Sequence, residues 1–221
     1  MIQIARLRLI RSSVIPRLEN RETWGTRRFA RFHLQFNYLL AVSRTFPVRG
    51  SYMSDTPLVS IVMGSDSDLE IMNEAAKALE GFGIAYEIDI TSAHRSPART
   101  SEYSRALVSR GVKVVIAGAG GAAHLAGVIA AETTLPVIAV PIPSTALLGL
   151  DSLLAMVQMP AGIPCATVAI GKPGATNAGI LAAQIIGTHD AGVAKKLVAH
   201  KEKLAKGVEE KSKKLKESAK K

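Results

Sequence analysis

Leu58-Val59-Ser60-Ile61-Val62-Met63-Gly64-Ser65-Asp66-Ser67-Asp68 is the stretch whose reading decides the fold. Its first six residues are almost continuously apolar, as in a strand buried on both faces. Gly64 permits a sharp turn. A helical pattern follows through Leu69, Met72, Ala76, Leu79 and Phe82. Ser and Asp oxygens ahead of a helix accept from its free N–H groups, so capping explains part of this loop. Four polar side chains in five positions exceed what capping needs. A helix start behind a strand is also a ready anion site.

The same unit recurs downstream. Gly81 and Gly83 are expected to break the first helix. Residues 85–90 read as a second strand, and Thr91-Ser92-Ala93-His94-Arg95-Ser96-Pro97 as the loop after it. A helix is expected over 98–111, with Pro97 in its first turn, where a missing N–H costs nothing. A third strand spans 113–117. Gly118-Ala119-Gly120-Gly121-Ala122-Ala123-His124 then turns into a helix reaching Glu132. The fourth strand is 136–140, followed by a long loop from Pro141 and a helix over 151–158. The fifth strand is 166–170, followed by a loop over 171–176 and a helix over 177–189. Strands alternating with helices predict an α/β fold. Specifically, they predict a three-layer, doubly wound parallel sheet of flavodoxin-like or Rossmann-like type. Ligands of such sheets bind outside the carboxyl ends of the strands.

Charge divides the chain into three parts. Residues 1–53 hold ten Arg, no Lys and two acids, a net +8; residues 195–221 are net +7; the middle, 54–194, is net −5. A nucleic-acid-binding domain carries its basic footprint on the folded body, so the overall +10 does not point to nucleic acid. The expected organisation is a poorly ordered extension over 1–53, one domain over 54–190, and a Lys-rich helical tail over 191–221 that frays. The extension reads either as a targeting segment or as an upstream stretch before a start at Met53. Its lack of an amphipathic repeat favours the second. No apolar run is long enough to span a membrane without a charge or turn residue. The single Cys165 excludes an internal disulfide and fits a reducing, cytoplasmic setting.

Gly118-Ala119-Gly120-Gly121-Ala122-Ala123 matches a dinucleotide fingerprint only superficially. It follows the third strand, and the fourth ends without an acid to hold a ribose. The alternative is that Gly120 and Gly121 let a ligand approach the backbone amides. Of five histidines, only His94 and His124 follow strands near the expected crevice. Neither has a partner at metal-ligand spacing, so no metal is expected. His94 stands out because Ser92 and Arg95 flank it. An imidazole moves protons near neutral pH, and a guanidinium fork suits phosphate or carboxylate. His124 reads as a pocket residue or as a helix cap.

Met63-Gly64-Ser65-Asp66-Ser67-Asp68, Ser92-Ala93-His94-Arg95-Ser96-Pro97 and Gly118–Leu125 together resemble the signature loops of the N5-carboxyaminoimidazole ribonucleotide mutase family. Asp151-Ser152-Leu153 and Gln158-Met159-Pro160-Ala161-Gly162 resemble its later segments, and Ala126 departs from its usual proline. The resemblance covers about 58–190. It implies an isomerase of purine biosynthesis that moves a carboxyl group from the exocyclic nitrogen to carbon 4 of its ribonucleotide, with no cofactor. It further implies a cytoplasmic homo-octamer, with 146–157 as a contact surface. By resemblance, Arg95 anchors the phosphate, Asp68 accepts from the ribose hydroxyls, and Ser65 touches the reacting end. Ser67, Ser92 and His124 are further contacts, Gly120 and Gly121 hold the trapped carboxylate, and His94 shuttles the proton. Arg95, where a related carboxylase class using free carbon dioxide tends to have lysine, favours the mutase. A non-catalytic nucleotide-phosphate-binding module is the alternative from another class.

Overall fold

The computed structural model describes residues 56–219. All lie within the second of the two units into which the chain divides, Val48–Lys221. The extension over 1–53 lies outside the described residues.

Five strands form one sheet: β1 (Val59–Met63), β2 (Tyr86–Ile90), β3 (Val114–Gly120), β4 (Val137–Ile142) and β5 (Ala166–Thr167). Every pairing is parallel, and the order is β2-β1-β3-β4-β5. That is the flavodoxin-like order, whose direction reverses between β1 and β3. The helices are α1 (Leu69–Phe82), α2 (Pro97–Ala106), α3 (Leu125–Glu132), α4 (Leu150–Val157), α5 (Lys172–Gly187) and α6 (Ala191–Ser218).

The apolar strands serve both faces of the sheet, with successive side chains alternating between them. Val59, Ile61 and Met63 of β1 join Val114, Ile116, Ile138 and Val140 in a core with α1 and α5. Val62, Val115, Ala117 and Ala139 turn the other way, against Leu107, Leu125, Ile129 and Met156. The result is three layers. On the first face α1 and α5 pack closely, because a Cβ at Gly179 would come within 2.6 Å of the Ala75 carbonyl oxygen. Gly179→Val would force those helices apart, at a cost of roughly 1–3 kcal/mol.

Several boundaries differ from expectation, each for a local reason. α1 runs through Gly81 and stops at Gly83, which takes the left-handed conformation (φ 69°) that favours glycine. α2 closes at Ala106 rather than reaching 111, and turns lead on to Gly111 (φ 86°). α5 begins at Lys172 rather than 177, because Pro173 sits in its first turn, where proline is tolerated. β5 is two residues long instead of five. β4 passes through Pro141, where a loop was expected, and Pro141 pairs with Ala119 of β3. The Pro141 carbonyl accepts from the Gly171 N–H at 2.9 Å, on the β5 side. Its missing N–H also falls on that side, where β5 pairs only with Ile138 and Ala139. α6 is continuous to Ser218, started by Asp190, whose carboxylate accepts from the Val193 N–H at 2.9 Å. No helix among the described residues is long and apolar enough to cross a membrane.

Candidate active site

The carboxyl ends of β1, β2 and β3 open into a crevice of about 350 Å³ at the point where the strand order reverses. Three loops build it.

The first follows β1. Ser65 is extended, and its Oγ accepts from the Ser67 N–H at 3.4 Å. One tight turn, Asp66–Asp68, leads into α1. Asp68 occupies the N-cap position of α1, yet its side chain makes no capping hydrogen bond. It accepts instead from the Ser67 hydroxyl at 3.3 Å and is only 6% exposed. Burial pushes its pKa above the usual carboxylate value, against the pull of the Ser67 hydroxyl and of Arg95. This carboxylate is buried at stability's expense and is unused by the helix it precedes, which is how a ligand-facing acceptor looks.

The second loop follows β2. Ser92 organises it: its carbonyl accepts from the Ser96 N–H at 2.8 Å, and its Oγ accepts from the Arg95 N–H at 3.2 Å. The Arg95 guanidinium crosses to the first loop, where Nη2 donates to the Gly64 carbonyl at 3.0 Å and Nε reaches Ser92 Oγ at 3.4 Å. Arg95 therefore spans two strand ends, and its remaining N–H groups stay open to an anion.

The third loop follows β3. His124 takes the N-cap position of α3 without a capping side-chain bond. Its ring turns to the second loop, where Nδ1 lies 2.9 Å from Nε2 of His94. The two imidazoles meet edge to face, with centroids 5.0 Å apart at 84°. One proton serves that bond, so each ring sets the tautomer of the other. Both residues are exposed to solvent in the single chain.

The structure thus brings Ser65, Ser67, Asp68, Ser92, His94, Arg95 and Gly120 to one crevice wall. His124 joins through its bond to His94, while Gly121 (φ 60°) forms the turn behind and stays off the wall. The glycines answer first to packing. A Cβ at Gly120 would collide with the Ser144 Oγ, and one at Gly118 with the Met72 sulfur. Ser144 is the crevice residue that sequence reasoning missed. It sits on the loop after β4, 24 positions from Gly120, and only the β3–β4 pairing reveals that they meet. Thr145 beside it donates to Asp151 at 2.6 Å, tying this loop to α4 and holding the Asp151 pKa down. Among the described residues no three His, Cys, Asp or Glu side chains converge as metal ligands.

Residues 58–207 match the family model described as AIR carboxylase. A Pyrococcus horikoshii protein named N5-carboxyaminoimidazole ribonucleotide mutase is 56% identical over 167 residues, 76% of this chain and 93% of its own length. The Bacillus subtilis protein of that name is 54% identical over 159 residues, 72% of this chain and 98% of its own. Among solved structures, Treponema denticola PurE superposes with a TM-score of 0.66 at 33% identity, covering 72% of this chain and 99% of that one.

Proposed function

The chain belongs to the AIR carboxylase family, and on that footing we propose that the crevice between β1 and β3 is where it acts. The activity is that of an N5-carboxyaminoimidazole ribonucleotide mutase, an isomerase of purine biosynthesis. A carboxyl group moves from the exocyclic nitrogen to carbon 4 of the aminoimidazole ring. A carboxylase fed by free carbon dioxide, or a binding module without chemistry, is not favoured.

The observation that carries the site reading is His94, on the same wall as Arg95 and Asp68 and bonded from behind by His124 at 2.9 Å. Arg95 takes the phosphate on the N–H groups it does not spend on Gly64 and Ser92. Asp68 accepts from the ribose hydroxyls, with Ser65, Ser67 and Ser92 as further hydroxyl contacts. Protonated His94 gives its proton to the exocyclic nitrogen as the N–C bond breaks and carbon dioxide departs. The freed ring attacks that carbon dioxide through carbon 4, against the Gly120 backbone, which the Gly121 turn supports from behind. His94 then takes the carbon-4 proton, so protons balance and no cofactor or metal is called for. His124 holds the His94 ring and its tautomer through both steps. Ser144, packed on Gly120, extends the same wall towards the carboxylate.

Trapping carbon dioxide requires a site shut against water. The crevice of the single chain is open, and we assign its closure to assembly as a homo-octamer in the cytoplasm. Support comes from the 146–157 region, where Leu147, Leu148, Leu150, Leu154 and Val157 are all about half exposed or more. Such an apolar patch marks an interaction surface. The catalytic unit is 54–190, with 1–53 dispensable.

The test is conversion of N5-carboxyaminoimidazole ribonucleotide to its carbon-4 isomer by purified protein, without ATP or added bicarbonate. Absence of turnover rejects the reading, and turnover of the uncarboxylated ribonucleotide with bicarbonate moves the chain to the carboxylase class.

A further inference from the structure

A second cavity lies on the outer side of the α1–α5 layer. α1 leaves the crevice at Leu69 and runs back along the sheet, so its last turn sits at the amino ends of the strands. From that turn, at Gly81 and Phe82, a groove of about 490 Å³ lined by α1, α5 and α6 runs towards Thr176 near the start of α5, and it shares no residue with the crevice.

Its rim is cationic. Lys196, His200 and Lys203 stand at i, i+4 and i+7 on one face of α6, and Lys77 faces them from α1. Thr176 of α5 adds a hydroxyl, Ile180 and Ala78 give an apolar floor, and no acidic residue lines the groove. Two of these groups are fixed in place. The Lys196 ammonium donates to the Phe82 carbonyl at 2.7 Å, which leaves two donors for a ligand. The His200 ring stands edge-on to Phe82, centroids 5.5 Å apart. Lys77 is offset by Glu74 at 2.7 Å, whereas Lys203 has no acidic partner among the described residues.

Gly81 lines the groove beside them. It lies inside α1, where glycine weakens a helix relative to alanine. A Cβ built there meets nothing within 4 Å, so no neighbour requires its absence. The open space over Gly81 is part of the groove.

We propose that this groove binds an organic phosphate of nucleotide size. The phosphate lies among Lys196, His200 and Lys203, and the apolar body runs past Gly81 along Ala78 and Ile180. Ammonium groups act as point charges for phosphate. The volume exceeds what inorganic phosphate fills and falls in the range of small-molecule sites. Attraction to exposed lysines is screened by salt, so affinity falls as ionic strength rises.

The crevice also takes a phosphate, so the experiment must separate the two sites. Full-length Arg95→Ala protein, its crevice anchor removed, is titrated with AMP by calorimetry at low salt, then with inorganic phosphate. We expect AMP to bind this protein, and to bind at least ~10-fold more tightly than inorganic phosphate. Adding Lys203→Glu should weaken AMP binding ~10-fold or more. Adding Gly81→Leu, which fills the groove without touching a charge and suits a helix, should do the same. With Arg95 intact, Lys203→Glu and Gly81→Leu should keep normal mutase turnover. AMP binding that survives both groove substitutions, no AMP binding to the Arg95→Ala protein, or equal affinity for AMP and inorganic phosphate each overturns the proposal.

Discussion

The crevice and the 146–157 edge break opposite rules of protein surfaces. The crevice buries a carboxylate, Asp68, that its own helix does not use. The edge exposes leucines, with Leu148 at 76% held at a positive φ of 51°. Both choices cost the single chain something: desolvation in one case, unburied apolar area and backbone strain in the other. The difference lies in what offsets the cost. On the proposed function, a polar ligand offsets the first and an apolar neighbour the second. The two regions touch at one loop, where Ser144 lines the crevice three residues before Leu147.

The largest effect that sharpens this comparison is chemical. His94→Asn keeps size and some hydrogen bonding but removes the titratable nitrogen. Turnover should fall at least ~10²-fold, while ligand binding, thermal midpoint and assembly hold. Near-normal turnover with an inactive His124→Asn would exchange the two roles.

Arg95→Lys comes next. Lysine keeps the charge but cannot bridge Gly64 and Ser92 while also offering a fork. Substrate affinity should drop by about 1.5–3 kcal/mol. The dephosphorylated nucleoside should bind both proteins equally poorly. A mutant that still distinguishes nucleotide from nucleoside as the parent does places the anchor elsewhere.

Asp68→Asn tests the cost on the crevice side. Its folded pKa lies above its unfolded value because of burial. The folded state therefore binds the proton more readily and loses stability as pH rises from ~4 through the raised value. The deficit persists at neutral pH. Asp68→Asn should therefore raise the thermal midpoint at pH 7, the gain closing below about pH 4, while turnover falls. A lower midpoint at pH 7 would show that the carboxylate stabilises the fold.

Leu148→Asn tests the other side. Asparagine tolerates the left-handed region, so the isolated fold should hold or gain up to roughly 1 kcal/mol. Sedimentation should show weaker assembly. Unchanged assembly removes 146–157 as the contact surface. The smallest effect is expected at the other end of the chain: protein starting at Met53 should fold, assemble and turn over like the whole.

The layers were legible in the sequence because β1, β3 and β4 are near-continuous apolar runs separated by helical periodicity. Seven of the wall residues were legible because they follow those runs in contiguous polar loops. What escaped depended on contacts distant in sequence. Ser144 meets Gly120 only through strand pairing. Pro141 reads as a breaker until β5 is seen to stop short of it. Pro173 and Gly174 read as loop residues, yet Gly174 is buried where a Cβ would strike the Ala169 carbonyl. His124 occupied the expected cap position, and nothing local could show that its ring would turn to His94 instead.

The short fifth strand has a consequence for growth. A parallel sheet with an open edge can in principle recruit further chains strand by strand, without limit. Here β5 contributes two residues, Ala166 and Thr167, and the neighbouring β4 carries a proline where the ladder would continue. An incoming strand finds too few amides and carbonyls for a register. Strand-by-strand addition therefore finds no purchase at this edge, and the backbone open to pairing is that of β2, the five-residue strand at the opposite edge.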